Sequence, residues 1–188
     1  MKWKELWLIL TMTKVIDNFL SDYDFKSLTR ILMGEDFPWY YNEGVVYDND
    51  NQYQFTHAIH TCKGISPQND IDYTSPYFDF FKPFVYKLGI RKPLKIKLNL
   101  RPRTLVHRKA GYHIDIGKGV LGVGEGKNTA IFYMNTCNGW TEFKKGGKVK
   151  SVANRMVIFD SNLEHRGVTC TDEKRRVVIN FNYDVWAL

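Results

Sequence analysis

A change in hydrophobic period at residue 94 places the strongest restriction on the fold. From this point "LKIKLNL" alternates strictly, which places Leu94, Ile96, Leu98 and Leu100 on one face. Such alternation is typical of a β-strand that buries one face. The remainder of the chain predicts further short strands separated by turns containing Gly, Asn and Lys, over residues 111–116, 128–135, 147–152, 155–160, 164–169 and 175–184.

The chain before residue 94 predicts helices instead. Residues 21–34 carry apolar side chains at helical spacing, with Ser21 as the N-cap and Gly34 at the end. A second helix is predicted over 75–89, and Pro83 is expected to kink or divide it. The intervening "EDFPWYYNEGVVYDNDNQYQ" is rich in Asp, Asn and aromatic residues and predicts a loop.

These patterns indicate a mainly β protein with flanking N-terminal helices. We expect residues 1–188 to form one domain built on an antiparallel sandwich or barrel, of the jelly-roll (double-stranded β-helix) class. Residues 1–11 are expected to be an N-terminal extension, and residues 12–93 to provide helical support and loops. The jelly-roll core, with any metal site, is expected over 94–184.

The sequence indicates a cytoplasmic protein without a membrane span. No apolar run approaches the roughly 18 residues needed to cross a bilayer. The apolar stretch at 6–10 is too short for a signal peptide, and no small-residue cleavage site follows it. The 3 cysteines are odd in number and widely spaced, which does not suit a disulfide framework.

Positive charge is concentrated in one part of the chain. The formal net charge is +7, yet no acidic residue lies between Asp79 and Asp115. Such a run is commonly a solvated face, but its length also predicts an anionic partner for the basic segment 82–109. The basic residues in this gap are Lys82, Lys87, Arg91, Lys92, Lys95, Lys97, Arg101, Arg103, Arg108 and Lys109.

A candidate metal site begins in "AGYHIDIGKG". On a strand, His113 and Asp115 point to the same side. A His-x-Asp triplet has little specificity by itself, so a third ligand is required. His57, His60 and His107 are candidates, but His165 is best placed because it follows a strongly apolar strand and a turn. Two imidazoles and one carboxylate suit a non-haem Fe(II) site with open positions.

The last predicted strand, "TDEKRRVVINFNY", has one polar face. Arg176, Val178, Asn180 and Asn182 share this face, whereas the alternate residues are apolar or aromatic. A half-polar interior face is costly unless it binds something. A guanidinium there offers a two-pronged donor for a carboxylate, although pairing with a buried acid such as Asp160 is the alternative.

At this point the sequence resembles the Fe(II)/2-oxoglutarate-dependent oxygenases, in the prolyl-hydroxylase-like branch with its small phage-borne members. The resemblance is carried by "YHID", "NTAIFYMN", "MVIFDSNLEHRG" and "RRVVINFNY", and "VIDNFLSDYDFKSLTRIL" is similar to the family's opening segment. It implies that His113, Asp115 and His165 hold the iron. It also implies that these residues are catalytic.

The resemblance further implies a cosubstrate site. Arg176 would bind the distal carboxylate of 2-oxoglutarate, Tyr133 would hydrogen-bond the same molecule, and Asn180 would lie beside the arginine. Arg175 precedes Arg176, so the register stays open between them, and strand alternation favours Arg176. Tyr133 is also interpretable as a core aromatic residue of a strand.

The activity implied is that of a dioxygenase that hydroxylates a protein side chain, such as prolyl, or a nucleic acid. Fe(II), 2-oxoglutarate and O₂ are the implied cofactors and cosubstrates, with ascorbate as a further candidate, and succinate and CO₂ are products. The alternative hypothesis is a non-catalytic jelly-roll module that binds nucleic acid or another polyanion through the basic segment 82–109.

"FTHAIHTC" superficially resembles a second metal site, with His57, His60 and Cys62. No fourth ligand stands nearby, so we interpret this segment as a strand or loop that lines the substrate entrance. His107 is assigned to the basic rim rather than to the metal.

Overall fold

The computed structural model describes residues 13–47, 50–65, 71–116 and 127–185. The predicted extension over 1–11 lies outside this part of the chain. The helices are α1 (Asp22–Leu32) and α2 (Lys82–Lys87), and a 3-10 turn (Phe78–Phe81) leads directly into α2. The strands of the described residues are β1 (Thr13–Ile16), β2 (Tyr40–Glu43), β3 (Tyr53–Thr61), β4 (Tyr73–Thr74), β5 (Ile90–Pro102), β6 (Lys127–Tyr133), β7 (Trp140–Phe143), β8 (Lys148–Lys150), β9 (Arg155–Asp160), β10 (His165–Val168) and β11 (Arg175–Val185).

Helix α1 begins as its sequence predicts. The Ser21 hydroxyl accepts the backbone N–H of Asp24 at 3.1 Å and donates to the Asp24 carboxylate at 2.7 Å. This pairing satisfies a free donor at the helix start. Leu28 and Leu32 are buried, so the apolar face of the helix packs inward as expected.

The second predicted helix is divided. The change from 3-10 turn to α2 falls between Phe81 and Lys82, and Pro83 occupies the first turn of α2. Proline is tolerated there because its missing N–H would have no intrahelical acceptor. Gly89 follows α2 with a positive φ of 62°, a conformation that favours glycine and turns the chain into β5.

The strands form two antiparallel sheets. The larger has the order β1-β9-β6-β11-β5-β3-β2, with β4 paired to β3, and the smaller has the order β10-β7-β8. This arrangement confirms the predicted jelly roll with flanking helices. Four strands of the larger sheet, β1 to β4, come from the region before residue 94. Helices and loops were expected there, with residues 55–62 left open between strand and loop.

The two faces of the larger sheet are buried against different partners. Ile96, Leu98 and Ile179 pack in one apolar cluster with Leu32 of α1 and Phe84 of α2. A second cluster lies on the opposite face, between the sheets, and contains Ile131, Tyr133, Phe143, Val157, Phe159, Leu163 and Val178. The apolar face of β5 therefore lies under the helices, and its other face is turned toward the smaller sheet.

Two strand predictions differ from the structure. Residues 111–116 do not form a strand; a single bridge joins His113 to His165. Residues 140–143 form β7, which the sequence analysis did not predict. Among the described residues, neither helix has the length or apolarity to span a membrane.

Candidate metal centre and its cavity

Three potential metal ligands converge between the two sheets. The Asp115 carboxylate Oδ1 lies 3.5 Å from His113 Nε2 and 3.8 Å from His165 Nε2. One ligand atom of each residue lies within 4.8 Å of the other two. The structure therefore brings together the three residues that the sequence analysis selected, at a separation that a single ion could bridge.

The tautomers of both histidines are fixed by backbone carbonyls. His113 Nδ1 lies 3.2 Å from the Gly111 carbonyl, and His165 Nδ1 lies 3.0 Å from the Leu163 carbonyl. Because a carbonyl only accepts, each Nδ1 donates and each Nε2 presents its lone pair toward Asp115. His165 Nε2 is buried without a hydrogen-bond partner among the described residues. This orphaned acceptor fits a metal ligand.

Asp115 is oriented by a residue that the sequence analysis did not assign to the site. Asn182 Nδ2 donates to Asp115 Oδ2 at 3.0 Å and to Thr129 Oγ1 at 3.0 Å. Such support leaves Oδ1 directed toward the two imidazoles. The signal was present in the sequence, because Asn182 shares the polar face of β11.

The charges of the three groups depend on one another. Burial disfavours ionisation of Asp115, but the neighbouring His165 and His113 outweigh this effect and hold its pKa well below the usual range. Burial also disfavours the His113 imidazolium, yet the hydrogen bond that the imidazolium donates to Asp115 raises the pKa of His113. The pKa of His165 is lowered by burial. The site thus keeps its carboxylate ionised and His165 neutral near pH 7, as metal binding requires.

The three ligands lie in a cavity of about 330 Å³. Its walls come from β3, β5, β6 and β11 of the larger sheet, from β7 and β10 of the smaller sheet, and from the 45–46 and 110–115 segments. A volume of this size accommodates small molecules.

Arg176 lies in the same cavity, fully inside the protein. Its Nε donates to Ser151 Oγ at 2.7 Å, and its Nη2 donates to Thr141 Oγ1 at 3.2 Å. The guanidinium lies over the ring of Tyr133, 5.5 Å from the centroid. Burial lowers the pKa of Arg176. In the described part of the chain no carboxylate pairs with it, including Asp160, so this buried cation has room for an anionic ligand.

The Arg175 side chain points to the other side of the sheet. Its Nη2 donates to the Met33 carbonyl at 2.7 Å, next to α1. Strand alternation therefore places Arg176, and not Arg175, in the cavity.

Tyr133 and Asn180 occupy the predicted surroundings of Arg176. The Tyr133 hydroxyl donates to Thr141 Oγ1 at 2.8 Å, and burial raises the pKa of Tyr133. Asn180 lines the cavity, and its Oδ1 is buried without a hydrogen-bond partner among the described residues. Thr141, on the unpredicted strand β7, links the tyrosine and the arginine.

The other histidines have separate roles. His57 is buried, with Nδ1 at 2.8 Å from the Pro38 carbonyl and Nε2 at 3.1 Å from Ser75 Oγ. His60 contacts Thr74 Oγ1 at 2.9 Å. Within the described ranges, neither belongs to a group of potential metal ligands. Both lie on β3, which agrees with the interpretation of this segment as a strand.

The basic segment 82–109 does not form one surface. Lys82 pairs with Asp79, Arg91 with Asp184, and Lys109 with Glu142. Lys87 Nζ donates to the Phe19 carbonyl at 2.7 Å. Three others point into the cavity, namely Lys95, Lys97 and Arg101. Their place in the site was not predicted, because a basic run is typical of a solvated face.

Compared by sequence, the chain matches no protein-family model and no curated protein. Compared by structure, it is similar to a Trichoplax adhaerens prolyl hydroxylase in complex with a peptide fragment of the hypoxia-inducible factor oxygen degradation domain. The TM-score is 0.65 at 15% identity, over 96% of this chain and 86% of that one.

Two further structures show the same similarity. An oxidoreductase of the 2OG-Fe(II) oxygenase family from Burkholderia pseudomallei gives a TM-score of 0.63 at 9% identity, over 96% of this chain and 88% of that one. HygX from Streptomyces hygroscopicus, with nickel, 2-oxoglutarate and hygromycin B bound, gives a TM-score of 0.56 at 11% identity, over 98% of this chain and 88% of that one. At such identities the similarity establishes the fold alone, which is a double-stranded β-helix.

Proposed function

We propose that this protein is an Fe(II)- and 2-oxoglutarate-dependent dioxygenase that hydroxylates its substrate and releases succinate and CO₂. The observation that carries the proposal is His165 Nε2, which faces Asp115 and has no hydrogen-bond partner among the described residues. The same cavity holds the Arg176 guanidinium, with which no described carboxylate forms an ion pair. A metal-ligand set and a carboxylate receptor in one small cavity suit a cosubstrate that chelates a metal and carries a distal carboxylate.

In this proposal His113, Asp115 and His165 hold the iron, which supplies activation of O₂. Two imidazoles and a carboxylate leave open positions for other ligands. A closed structural zinc site would need a fourth protein ligand, and the described residues offer none within the group.

The remaining residues position the cosubstrate. Arg176 is already held by Ser151 and Thr141, so its guanidinium loses little freedom when a carboxylate binds. The Tyr133 ring packs against the guanidinium, and the Tyr133 hydroxyl and the guanidinium both donate to Thr141 Oγ1. Asn180 offers an amide with an unused oxygen in the same cavity. Arg176 and Tyr133 are buried, and the low dielectric of their surroundings strengthens these interactions.

The substrate is proposed to be a protein side chain, such as prolyl, or a nucleic acid, and ascorbate is proposed as a reductant that keeps the iron ferrous. Support for a peptide comes from the Trichoplax neighbour, which is in complex with a peptide fragment. HygX, by contrast, holds hygromycin B, so neighbours of this fold bind substrates of different classes. Retention in a reducing cytoplasm, where the free cysteines would persist, belongs to the same proposal.

The alternative of a nucleic-acid-binding module has less support. Such a module would need a continuous basic face, whereas the basic segment 82–109 is divided among ion pairs, a backbone contact and the cavity wall.

An anaerobic titration of Fe(II) and 2-oxoglutarate tests the proposal. Wild type is expected to develop the weak visible charge-transfer band of iron-chelated 2-oxoglutarate. Asp115→Ala is expected to abolish the band, and Arg176→Gln to weaken 2-oxoglutarate binding at least tenfold. Arg175→Gln is the matched control, because this arginine lies on the opposite face of the same strand. Tight four-coordinate zinc in a protein without affinity for 2-oxoglutarate would refute the proposal.

A further inference from the structure

The inward face of β5 carries a row of polar side chains. Lys95, Lys97, Asn99 and Arg101 alternate with the apolar residues that pack under the helices, and all four line the cavity. The pairing of β5 with β11 places Arg101 opposite Arg176. Cationic side chains therefore stand on both of the central strands that floor the cavity.

Within the described ranges, these cations form no ion pairs. No carboxylate lies within ion-pair distance of Lys95, Lys97 or Arg101 in the described part of the chain. Arg101 Nη2 donates to the neutral Gln52 Oε1 at 2.6 Å. Asp50 attracts Arg101 from nearby, but its carboxylate accepts the backbone N–H groups of Val45, Val46 and Gln52.

Burial makes this arrangement costly. The pKa of Lys97 is lowered to about 8, by burial first and then by the neighbouring Lys95. The pKa of Arg101 is lowered to about 10, by burial first and then by Arg176. Both groups still carry a proton near pH 7. Arg101 is buried and Lys97 is half-buried. Cations held away from water without an ion-pair partner destabilise a fold, so a partner is expected to arrive with a ligand.

The proposed metal and cosubstrate do not remove the excess charge. Among the described lining residues, four cationic side chains face the single carboxylate of Asp115, which leaves three positive charges in excess. Fe(II) and the 2-oxoglutarate dianion bring equal and opposite charges, so this excess is unchanged when both bind. Because the cosubstrate binds Arg176, the excess positive charge that remains is carried by Lys95, Lys97 and Arg101 on β5.

We propose that Lys97 and Arg101 form a second anion subsite in the cavity, and that the substrate presents a phosphate group to it. This inference rests on the proposed function for its assignment of Arg176 to 2-oxoglutarate. A phosphate monoester dianion compensates two of the three excess charges, whereas a carboxylate compensates only one. Arginine and lysine are also the side chains that proteins use most to hold phosphate oxygens.

The location of the subsite limits the substrate. Lys97 is opposite Asn180 and interacts electrostatically with Asp115, so a group bound at Lys97 lies beside the metal ligands. A cavity of about 330 Å³ that also holds the cosubstrate accepts a phosphorylated small molecule or one nucleotide unit. Within the proposed function, the subsite favours a nucleotide-type substrate over a prolyl peptide.

Calorimetric titration with methyl phosphate tests the subsite in protein saturated with Mn(II) and 2-oxoglutarate. Wild type is expected to bind one equivalent, and Lys97→Met and Arg101→Met to bind at least tenfold more weakly. Lys92→Met is the matched control, since Lys92 is exposed on the same strand, and its binding should equal that of wild type. Circular dichroism and thermal melting confirm that each variant is folded; removal of an unpaired buried charge is not expected to unfold the protein.

Three other results overturn the assignment. Binding of methyl phosphate only when 2-oxoglutarate is absent would place Lys97 and Arg101 in the cosubstrate site. Acetate binding as tightly as methyl phosphate would indicate a carboxylate substrate. Equal binding by wild type and both variants would exclude the two residues.

Failure of the proposed oxygenase function can be distinguished from failure of the phosphate subsite. If wild type does not bind 2-oxoglutarate, the titration is repeated on metal-free protein without cosubstrate. Methyl phosphate binding that is lost in Lys97→Met and Arg101→Met would then support the subsite, although the oxygenase proposal had failed. Unchanged binding in those variants would overturn the subsite as well.

Discussion

His113 and His165 are joined by a reciprocal pair of backbone hydrogen bonds, each N–H donating to the carbonyl of the other residue at 3.0 Å. This single bridge sets the two imidazole rings 4.7 Å apart between centroids. The backbone, rather than the side chains, therefore determines the spacing of the two nitrogen ligands, and substitution of either side chain leaves the bridge in place.

His165→Ala is expected to lower Mn(II) affinity by more than about 100-fold, because ligand loss costs at least as much as loss of a supporting residue. The variant should keep the circular dichroism spectrum of wild type, since the backbone bridge does not need the imidazole. His107→Ala provides the control, because His107 contacts the Thr169 carbonyl and lies outside the ligand group. Wild-type metal affinity in His165→Ala would exclude this residue as a ligand.

Asn182→Ala is expected to weaken metal binding by about 10- to 100-fold without abolishing it. The amide holds Asp115 Oδ2 at 3.0 Å, and without it the carboxylate can rotate away from the imidazoles. Calorimetric titration with Mn(II) measures the effect. An unchanged affinity would show that Asp115 is held by other contacts.

Gly139→Ala is expected to weaken 2-oxoglutarate binding while metal affinity stays at the wild-type value. A Cβ atom at this position would lie 2.7 Å from Arg176 Cδ and 2.8 Å from the Val168 carbonyl oxygen, so the arginine must move. Gly167→Ala is expected to have a smaller effect, because a Cβ atom at this position would lie 3.4 Å from its nearest neighbour, Arg176 Nη1. A larger effect in Gly167→Ala than in Gly139→Ala would contradict the observed packing.

Metal affinity is expected to fall as the pH decreases through the raised pKa of His113. Above this pKa the imidazole is neutral and binds metal freely; below it a proton must leave first, and affinity drops about tenfold per pH unit. Because burial lowers the pKa of His165 and the pKa of His113 is raised, His165 is expected to take up its proton only at a lower pH than His113. Titrations with Mn(II) between pH 5 and 8 measure the slope, and a two-proton dependence would show that His165 also protonates.

Lys97→Met is expected to stabilise the metal-free protein by about 1–3 kcal/mol at pH 7, since it removes a half-buried charge that has no ion-pair partner among the described residues. The folded-state pKa of Lys97, about 8, lies below the unfolded-state pKa of lysine, near 10.4. Between these two values the unfolded chain binds more protons, so the stability of wild type rises with pH. The advantage of Lys97→Met should therefore disappear above pH about 10.4. Urea denaturation at several pH values tests this, with Lys92→Met expected to change stability by less than about 0.5 kcal/mol. A destabilised Lys97→Met would mean that the ammonium has a stabilising partner.

Much of the fold and of the candidate site follows from strand alternation. The apolar residues of β5 and β11 predict their buried faces, and the polar residues of β11 predict the Arg176 side of the cavity. Alternation also predicts a strand over 111–116, but apart from its one bridge this segment is irregular, and its ligands are positioned by contacts with residues about fifty positions away. Alternation within a segment carries no information about such a partner.

The N-terminal strands and the β5 cations escape prediction for a related reason. Strand β3 is predicted only in part, since its sequence leaves strand and loop open: polar residues such as Gln54 and His57 are buried on it, and their partners, the carbonyls of Val45 and Pro38, lie outside the strand. Lys97 and Arg101 resemble residues of a solvated face, because alternation shows that a strand has two faces but not that both are covered. Only the stacking of the two sheets turns the charged face of β5 into an interior wall.

Strand β11 also offers a practical route to altering this protein. Val177, Ile179, Phe181 and Tyr183 are buried in the helix-covered core, whereas Val178, Asn180 and Asn182 border the cavity from the same strand. Within the second set, Val178 also packs in the apolar cluster between the sheets and Asn182 orients Asp115, so Asn180 is the position that can be varied while the core and the metal ligands are spared. A small library at Asn180 is therefore expected to change ligand preference in members that still fold, and selection could act on chemistry without first having to rescue stability.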